Sequence, residues 1–232
     1  MQAYVLTQNG PASEAFKVQE RPDPKPNTGE VLINVEAFGL NFADVMARRG
    51  MYRDAPPMPS VLGYEVVGRV AEPGYEDLKA GQRVLAFTRF GGYATKAVTQ
   101  RAAVVPIDEG IDLGEAVALA TQYCTAWFCA QHMAQIMPED HVLIQAAAGG
   151  VGTALVQIAK HRGATVYGTA GSDAKLKYLE TIGVDHPINY RKQDFQKVIR
   201  KMVGHRGIDL AFDSVGGDVF KRSQQLLGPG GR

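Results

Sequence analysis

Val142-Leu-Ile-Gln-Ala-Ala-Ala-Gly-Gly-Val-Gly152 is an apolar run that passes into a glycine-rich turn and then into a helical pattern. Such a turn places the free N–H groups and positive dipole end of a helix where an anionic diphosphate can reach them. Counted from Ala147, the spacing is A-x-G-x-x-G, with alanine where the first glycine usually stands. Gly149 lets the backbone approach a pyrophosphate, and Gly152 lets the helix sit close to its sheet. A glycine-rich strand-to-helix turn also arises for purely structural reasons, so its neighbours decide. A strand over His141–Gln145 and a helix over Gly152–His161 are followed by strand Thr165–Thr169, helix Ala174–Thr181, strand His186–Asn189, helix Asp194–Met202 and strand Ile208–Asp213. Repeated βα units with right-handed crossovers predict a parallel, Rossmann-type sheet, with Ala148, Gly149, Gly150, Val151 and Gly152 cradling a dinucleotide.

Upstream the texture changes. Short β-branched runs (Val31–Val35, Val66–Val70, Arg83–Phe87, Tyr93–Val98) are separated by Gly and Pro, including the Pro-rich link Arg21–Gly29, which predicts an irregular, mostly β domain. Asp112-Leu-Gly-Glu115 has capping-box spacing, and the apolar pattern beyond it predicts a helix of about five turns to near His132. The expected division is a β domain over 1–115 and a dinucleotide-binding α/β domain over 116–232. The 232 residues carry 25 Lys and Arg against 24 Asp and Glu, so nothing in the net charge favours nucleic acid or an anionic membrane as partner. No apolar segment approaches the roughly 20 residues of a membrane span. Cys124 and Cys129 lack CxxC spacing and follow no secretory leader, so a reduced, cytoplasmic protein is expected.

The choice of dinucleotide turns on the end of the second strand. NAD enzymes of this design carry an Asp or Glu about 20 residues beyond the loop, where it bonds the ribose 2′-OH and repels a 2′-phosphate. Here that place reads Thr169-Ala-Gly-Ser172, with Lys175 one turn along the next helix. NADPH is therefore the expected cofactor. The plainer alternative is that Ser172 or Asp173 only caps a helix and Lys175 is a solvated surface residue. Asp173 also carries the wrong sign for a phosphate neighbour.

Several separated motifs carry a family resemblance: Gly39-Leu-Asn-Phe-Ala-Asp-Val-Met-Ala-Arg-Arg-Gly-Met-Tyr52, Leu62-Gly-Tyr-Glu65, Gly91-Gly-Tyr-Ala94, the glycine loop, Gly183-Val-Asp-His-Pro-Ile-Asn-Tyr190 and Asp213-Ser-Val-Gly-Gly217. In order and spacing the chain resembles quinone oxidoreductases of the medium-chain dehydrogenase/reductase superfamily, especially the vesicle amine transport protein-1 (VAT-1) group. The resemblance implies a GroES-like β domain joined to a Rossmann domain, NADPH as cofactor, and Gly171, Lys175 and Tyr190 around the 2′-phosphate. Zinc-dependent relatives carry a Cys with an Asp three residues later, then Gly-His-Glu; the matching positions here are Asn41, Asp44 and Gly63-Tyr-Glu65, so two ligands are gone. Zinc needs three or four ligands in tetrahedral array, and no metal is expected.

Without a Lewis acid, alcohol oxidation loses its alkoxide stabiliser, whereas hydride transfer to a quinone or an α,β-unsaturated ketone needs only hydrogen-bond donors at the developing oxyanion. By resemblance, Asn41 and Tyr52 are the candidate donors, Thr125 approaches the nicotinamide, and Val215, beside Asp213 at the end of the fourth strand, lies on the ligand-binding edge. Each has a structural alternative: a loop bond for Asn41, packing for Tyr52, a helix hydroxyl for Thr125 and a turn for Asp213. Asp44 reads as a helix-start bond and Tyr64 as a space-filler. The family's fifth and sixth strands and its return to the β domain would follow Arg232, so this chain is expected to be weakly active or inactive by itself and the full-length protein to be a homodimer. The alternative function is a VAT-1-like NADPH-binding protein whose main role is binding a lipid or partner.

Overall fold

The computed structural model describes residues 1–72, 75 and 77–232. Contacts divide them into two compact units, Met1–Thr121 and Gln122–Arg232. Unit 1 runs β1 (Gln2–Leu6), α1 (Ala12–Ala15), β2 (Phe16–Glu20), β3 (Glu30–Phe38), α2 (Phe42–Arg48), β4 (Ser60–Val61), β5 (Glu65–Glu72), β6 (Arg83–Phe87), β7 (Lys96–Gln100), β8 (Val104–Pro106) and α3 (Leu113–Leu119). Its strands form two antiparallel sheets, ordered β2-β1-β4 and β7-β3-β5-β6-β8. Alternation supplies one core: Val31 and Ile33 of β3, Val66 and Val70 of β5 and Val84 and Ala86 of β6 bury the same face. Short α3 closes over β3 and β5 and so goes with unit 1.

The unbroken helix expected from Asp112 to His132 is not what forms. Asp112 does cap it, its carboxylate accepting from the N–H groups of Gly114 (2.8 Å) and Glu115 (3.1 Å). The helix then stops at Ala120, whose φ of −70° and ψ of −102° leave the helical region. The next residue, Thr121, donates its hydroxyl to the buried carboxylate of Glu65. A fresh helix, α4 (Thr121–Phe128), follows and ends in a π-helical turn over Cys129–Met133.

Unit 2 continues with β9 (His141–Ile144), α5 (Gly150–His161), β10 (Thr165–Ala170), α6 (Asp173–Thr181), β11 (His186–Asn189), α7 (Phe195–Val203), β12 (Leu210–Phe212) and α8 (Gly217–Gln224). All pairings in its sheet are parallel and the order is β11-β10-β9-β12, which is the 3-2-1-4 portion of the Rossmann strand order 3-2-1-4-5-6. Both faces are buried, as parallel sheets require. Val142, Ile144, Val166 and Leu210 meet α5 and α6 on one side, while Leu143, Tyr167 and Ile188 meet α7 on the other. Phe195, Ile199 and Val203 are the buried stripe of α7 at four-residue spacing, each stabilising by roughly 1.5–3 kcal/mol. No helix among the described residues is long and apolar enough to cross a membrane.

Candidate functional site

The parallel strands end together, and the turn from β9 to α5 stands at that edge. An α-helix leaves its first N–H groups without intrahelical acceptors. Gly149 at the N-cap of α5 has no side chain to offer them, and the first bond back to it comes from the Thr153 N–H at 2.8 Å. The turn is tight. A methyl group built on Gly152 would lie 2.5 Å from the Ala146 carbonyl oxygen and 2.7 Å from Ala147 Cα, and one on Gly150 would meet the Gln122 side chain. Ala146 itself holds φ +52°, the left-handed region where glycine is at ease and alanine is strained.

Two cavities flank this loop, both within unit 2. One, of about 570 Å³, is lined by Ala148, Gly149, Gly171, Lys175, Tyr190 and Val215 among others, so six of the expected cofactor residues converge on it. The second, of about 420 Å³ and mostly apolar, is lined by Thr125, Val151 and Gly152 together with Asp213 and Ser214. Gln145 lines both. Its buried amide accepts from Thr169 Oγ1 at 2.6 Å and donates to Ser223 Oγ at 3.0 Å, while Thr169 Oγ1 accepts from the Ala146 N–H at 3.3 Å. These bonds tie the loop to the neighbouring strand and to α8. Asp213 serves as the turn after β12, one carboxylate oxygen accepting from the N–H groups of Val215 (2.6 Å) and Gly216 (3.1 Å).

The far wall of the first cavity is built over Gly171. A methyl group there would sit 2.6 Å from the Tyr190 hydroxyl and 3.4 Å from Arg191 Nε, so only glycine lets those two side chains converge. Ser172 is the N-cap of α6, its hydroxyl accepting from the Lys175 N–H at 3.3 Å. Asp173, with its unwelcome sign, is held by the Lys192 ammonium and by Asn189 Nδ2; those partners keep its carboxyl below the usual range.

Unit 1 holds the other expected pair. Asn41 is the N-cap of α2 and donates its Nδ2 to both oxygens of Glu65, at 2.8 and 3.0 Å. Asp44 receives the N–H groups of Asn41 (3.1 Å) and Gly63 (3.2 Å), the helix-start role expected of it. Glu65 is fully buried, and burial raises its carboxyl above the usual range against the hydrogen bonds from Thr121 and Asn41. Burial likewise raises Asp44. Tyr52 lies edge-on to Tyr64, ring centres 6.4 Å apart, and Tyr64 in turn tilts against Phe90 at 5.3 Å. Burial, then the hydrogen bond with Tyr52, pushes the Tyr64 phenol well above its ordinary range, so it stays protonated at neutral pH. An amide nitrogen bonded to a carboxylate and a protonated phenol make poor cation ligands. Among the described residues no group of three His, Cys, Asp or Glu is placed to hold a metal ion.

Sequence reasoning passed over Gln145, Thr169, Glu65 and Arg191. The polar Gln145 at the end of an otherwise apolar strand is the available signal for the first; Thr169, Glu65 and Arg191 reach their places beside distant residues only through the fold.

Comparison with known proteins agrees with this geometry. Residues 27–109 match the alcohol dehydrogenase GroES-like domain, and residues 150–232 match the zinc-binding dehydrogenase domain. The chain is 38% identical over 221 residues to a phenolphthiocerol/phthiocerol polyketide synthase of Mycobacterium tuberculosis, covering 94% of this chain and 10% of that protein. It is 36% identical over 237 residues to the human synaptic vesicle membrane protein VAT-1 homolog, covering all of this chain and 60% of the relative. Among solved structures, the quinone oxidoreductase of Thermus thermophilus, determined also in complex with NADPH, superposes with a TM-score of 0.84 at 34% identity, over 100% of this chain and 72% of that one. Two matched domains, the strand order and the glycine loop thus lead to one conclusion: the chain belongs to the medium-chain dehydrogenase/reductase family, among relatives that include quinone oxidoreductases and VAT-1 homologs.

Proposed function

We propose that the protein is an NADPH-dependent oxidoreductase that delivers hydride to a quinone or an α,β-unsaturated ketone without a metal ion. The observation that carries this reading is the pair of cavities on either side of the Gly149–Gly152 turn. A dinucleotide has two nucleoside ends and a diphosphate between them. The turn offers amides for the diphosphate, the cavity bearing Lys175 and Tyr190 suits the phosphorylated adenosine end, and the more apolar cavity with Thr125 and Val151 suits the nicotinamide.

Fit to the cofactor rests on the residues present. An added methyl group at Gly171 would crowd the wall that bears Tyr190, one at Gly152 would push α5 away from the loop, and among the described residues the one carboxylate lining the Gly171-side cavity is that of Asp194, which is engaged by Arg222. Charge also favours it. Unit 2 carries 13 Lys and Arg against 9 Asp and Glu, whereas unit 1 carries 12 against 15, so the anion meets the positive unit. Bound NADPH supplies the hydride. The chain's own groups hold and orient: Thr125 and Val151 position the nicotinamide end, Gln145 fixes the wall between the cavities, and Asn41 and Tyr52 donate hydrogen bonds to the acceptor's carbonyl oxygen. Glu65 accepts from Asn41 Nδ2 with both carboxylate oxygens and so fixes the direction of that amide.

Fluorescence titration with NADPH and NADH, followed by turnover with a panel of quinones and enones, tests the proposal. Micromolar NADPH affinity is expected, with acceptor-dependent oxidation in a chain that also carries the family's fifth and sixth strands and at most weak oxidation in residues 1–232 by themselves. Absence of affinity for either nucleotide overturns the reading; affinity with no turnover across the panel in the longer chain removes the reductase assignment.

A further inference from the structure

Glu65 opens β5 fully buried, and its carboxylate is met from two directions. Asn41, the N-cap of α2, turns its Nδ2 to both oxygens, at 2.8 and 3.0 Å, and the Thr121 hydroxyl donates to one of them from the break beyond α3. Gly39 makes room for the group: an added methyl there would lie 1.6 Å from Glu65 Oε1 and 2.9 Å from Val117 of α3. No cation answers this charge, for neither Glu65 nor Asp44 enters an ion pair among the described residues. The titratable groups that face it are the Asp44 carboxyl of α2 and the Tyr93 phenol, which bond each other. Tyr64, which precedes it in the chain, turns to Tyr52 and Phe90. Phe87 stands opposite it on β6, the Arg83 guanidinium is engaged by Glu36 of β3 and by three carbonyls, and Glu115 of α3 is exposed. Burial therefore raises the Glu65 carboxyl against the hydrogen bonds from Thr121 and Asn41, and the charge of Asp44 adds to the rise.

We propose that Glu65 is a positioning residue that acts on the reduction through Asn41: a neutral Glu65 carboxyl releases the Asn41 amide to the acceptor's oxygen, and an ionised one holds it back. The inference rests on the reductase reading above and goes beyond it by assigning a bound proton that the reaction requires. Two effects point the same way. An ionised carboxylate only accepts, so both of its oxygens hold Asn41 Nδ2. A neutral acid keeps one carbonyl oxygen for Asn41 and turns its O–H to the Thr121 hydroxyl, which changes from donor to acceptor. Asn41 is then free to direct an N–H elsewhere. Charge adds to this. Hydride brings its electron pair to the β-carbon of an enone and forms the new C–H bond there; the C=C pair shifts to join the α-carbon to the carbonyl carbon, and the C=O pair is left on oxygen. A proton from water then converts the enolate to the ketone. With two hydrogen bonds of about 2.9 Å meeting at Asn41 Nδ2, the oxygen that gains charge would stand roughly 5 Å from Glu65. At that separation a buried carboxylate opposes the step, and a neutral acid does not.

The experiment measures kcat/KM for a quinone and an enone from about pH 5 to about pH 9 in the longer chain that carries the fifth and sixth strands, with the Kd for NADPH alongside. In the wild type kcat/KM falls as pH rises through the raised Glu65 value. Glu65→Gln offers Asn41 one acceptor and Thr121 one donor, the pattern of the neutral acid; it loses that limb and exceeds the wild-type value above it by about tenfold. On an Asn41→Ala background the same substitution changes kcat/KM by less than about threefold, because the route through the amide is gone. Thr121→Val withdraws a hydrogen bond from the carboxylate and carries the limb to higher pH by about one unit, with Glu65 itself untouched. A Kd for NADPH within about threefold of wild type shows that each variant is folded. Should Glu65→Gln fail to bind NADPH, the Thr121→Val shift decides alone. A limb that persists in Glu65→Gln, or one that stays in place in Thr121→Val, overturns this inference and leaves the reductase reading standing. A gain of equal size on the Asn41→Ala background overturns the route through that amide. Wild-type chain that turns over no acceptor at any pH overturns both.

Discussion

Gly152→Ala tests the closeness of loop and helix on which the cofactor site depends. The new methyl would lie 2.5 Å from the Ala146 carbonyl oxygen, 2.7 Å from Ala147 Cα and 2.8 Å from the Ala147 oxygen, against the 3.4 Å at which ordinary contact begins. All three atoms are backbone, so no rotamer change relieves the clash; loop and helix must separate by roughly 0.5–1 Å. Ala146 is already strained at φ +52° and yields poorly. Alanine gains about 1 kcal/mol over glycine in helix propensity, and overpacking of this severity costs about 1–3 kcal/mol. A net loss of up to about 2 kcal/mol follows. For a chain of this length that lowers the unfolding midpoint by up to roughly 8 °C. NADPH affinity should fall more than the stability does, by at least about tenfold, because the N–H groups proposed to hold the diphosphate move with the loop. Differential scanning calorimetry and fluorescence titration read the two effects separately. A variant with wild-type midpoint and wild-type Kd would refute the close-approach reasoning and with it the role given to Gly152.

Ala146→Gly should act in the opposite sense: relief of about 1–2 kcal/mol of left-handed strain against about 0.4–1 kcal/mol of added chain freedom leaves a small net gain, seen as a midpoint raised by about 1–4 °C. A lower midpoint would show that the loop does not hold this conformation in solution. Gly171→Ala drives a methyl against the Tyr190 hydroxyl at 2.6 Å, and because that phenol is half exposed the displacement should cost about tenfold in NADPH affinity with little change in midpoint. Glu65 provides the pH test. Burial raises its folded pKa above the usual 4.5, so the folded state binds the extra proton and stability falls as pH climbs from 4.5 through the raised value. Glu65→Gln, which cannot titrate, should flatten that part of the midpoint-versus-pH profile, and an unaltered slope would count against Glu65 as its source.

The parallel sheet is legible in the sequence because each strand is a short apolar run closed by a turn, and because a glycine loop has few other uses between a strand and a helix. The observed strands begin and end within two residues of those expectations. Breaks imposed from a distance are not legible. Nothing near Ala120 announces that the helix stops, since Thr121 finds its acceptor in Glu65, 56 residues earlier. The strand expected from Tyr93 starts at Lys96, because the Tyr93 N–H and carbonyl are taken by Leu62 and Tyr4. The site divides in the same way. Lys175 and Tyr190 follow from spacing and family resemblance, and the structure sets them in one cavity. The sign of Asp173 argues against phosphate until Lys192, 19 residues on, is seen to cancel it. Ser172 looks equally suited to phosphate and to capping, and its hydrogen bond to Lys175 shows the cap in place.

The amide of Gln145 is anchored at both ends, its oxygen by the Thr169 hydroxyl and its nitrogen by Ser223, inside the partition shared by two chambers. Such a group is not free to turn toward whatever enters on either side, because inversion requires two interior hydroxyls to exchange donor and acceptor roles together. The polarity of that partition is settled when the chain folds, so incoming molecules must conform to it instead of choosing it. Selectivity at this point is inherited from the interior of the protein and should survive extensive change at its surface.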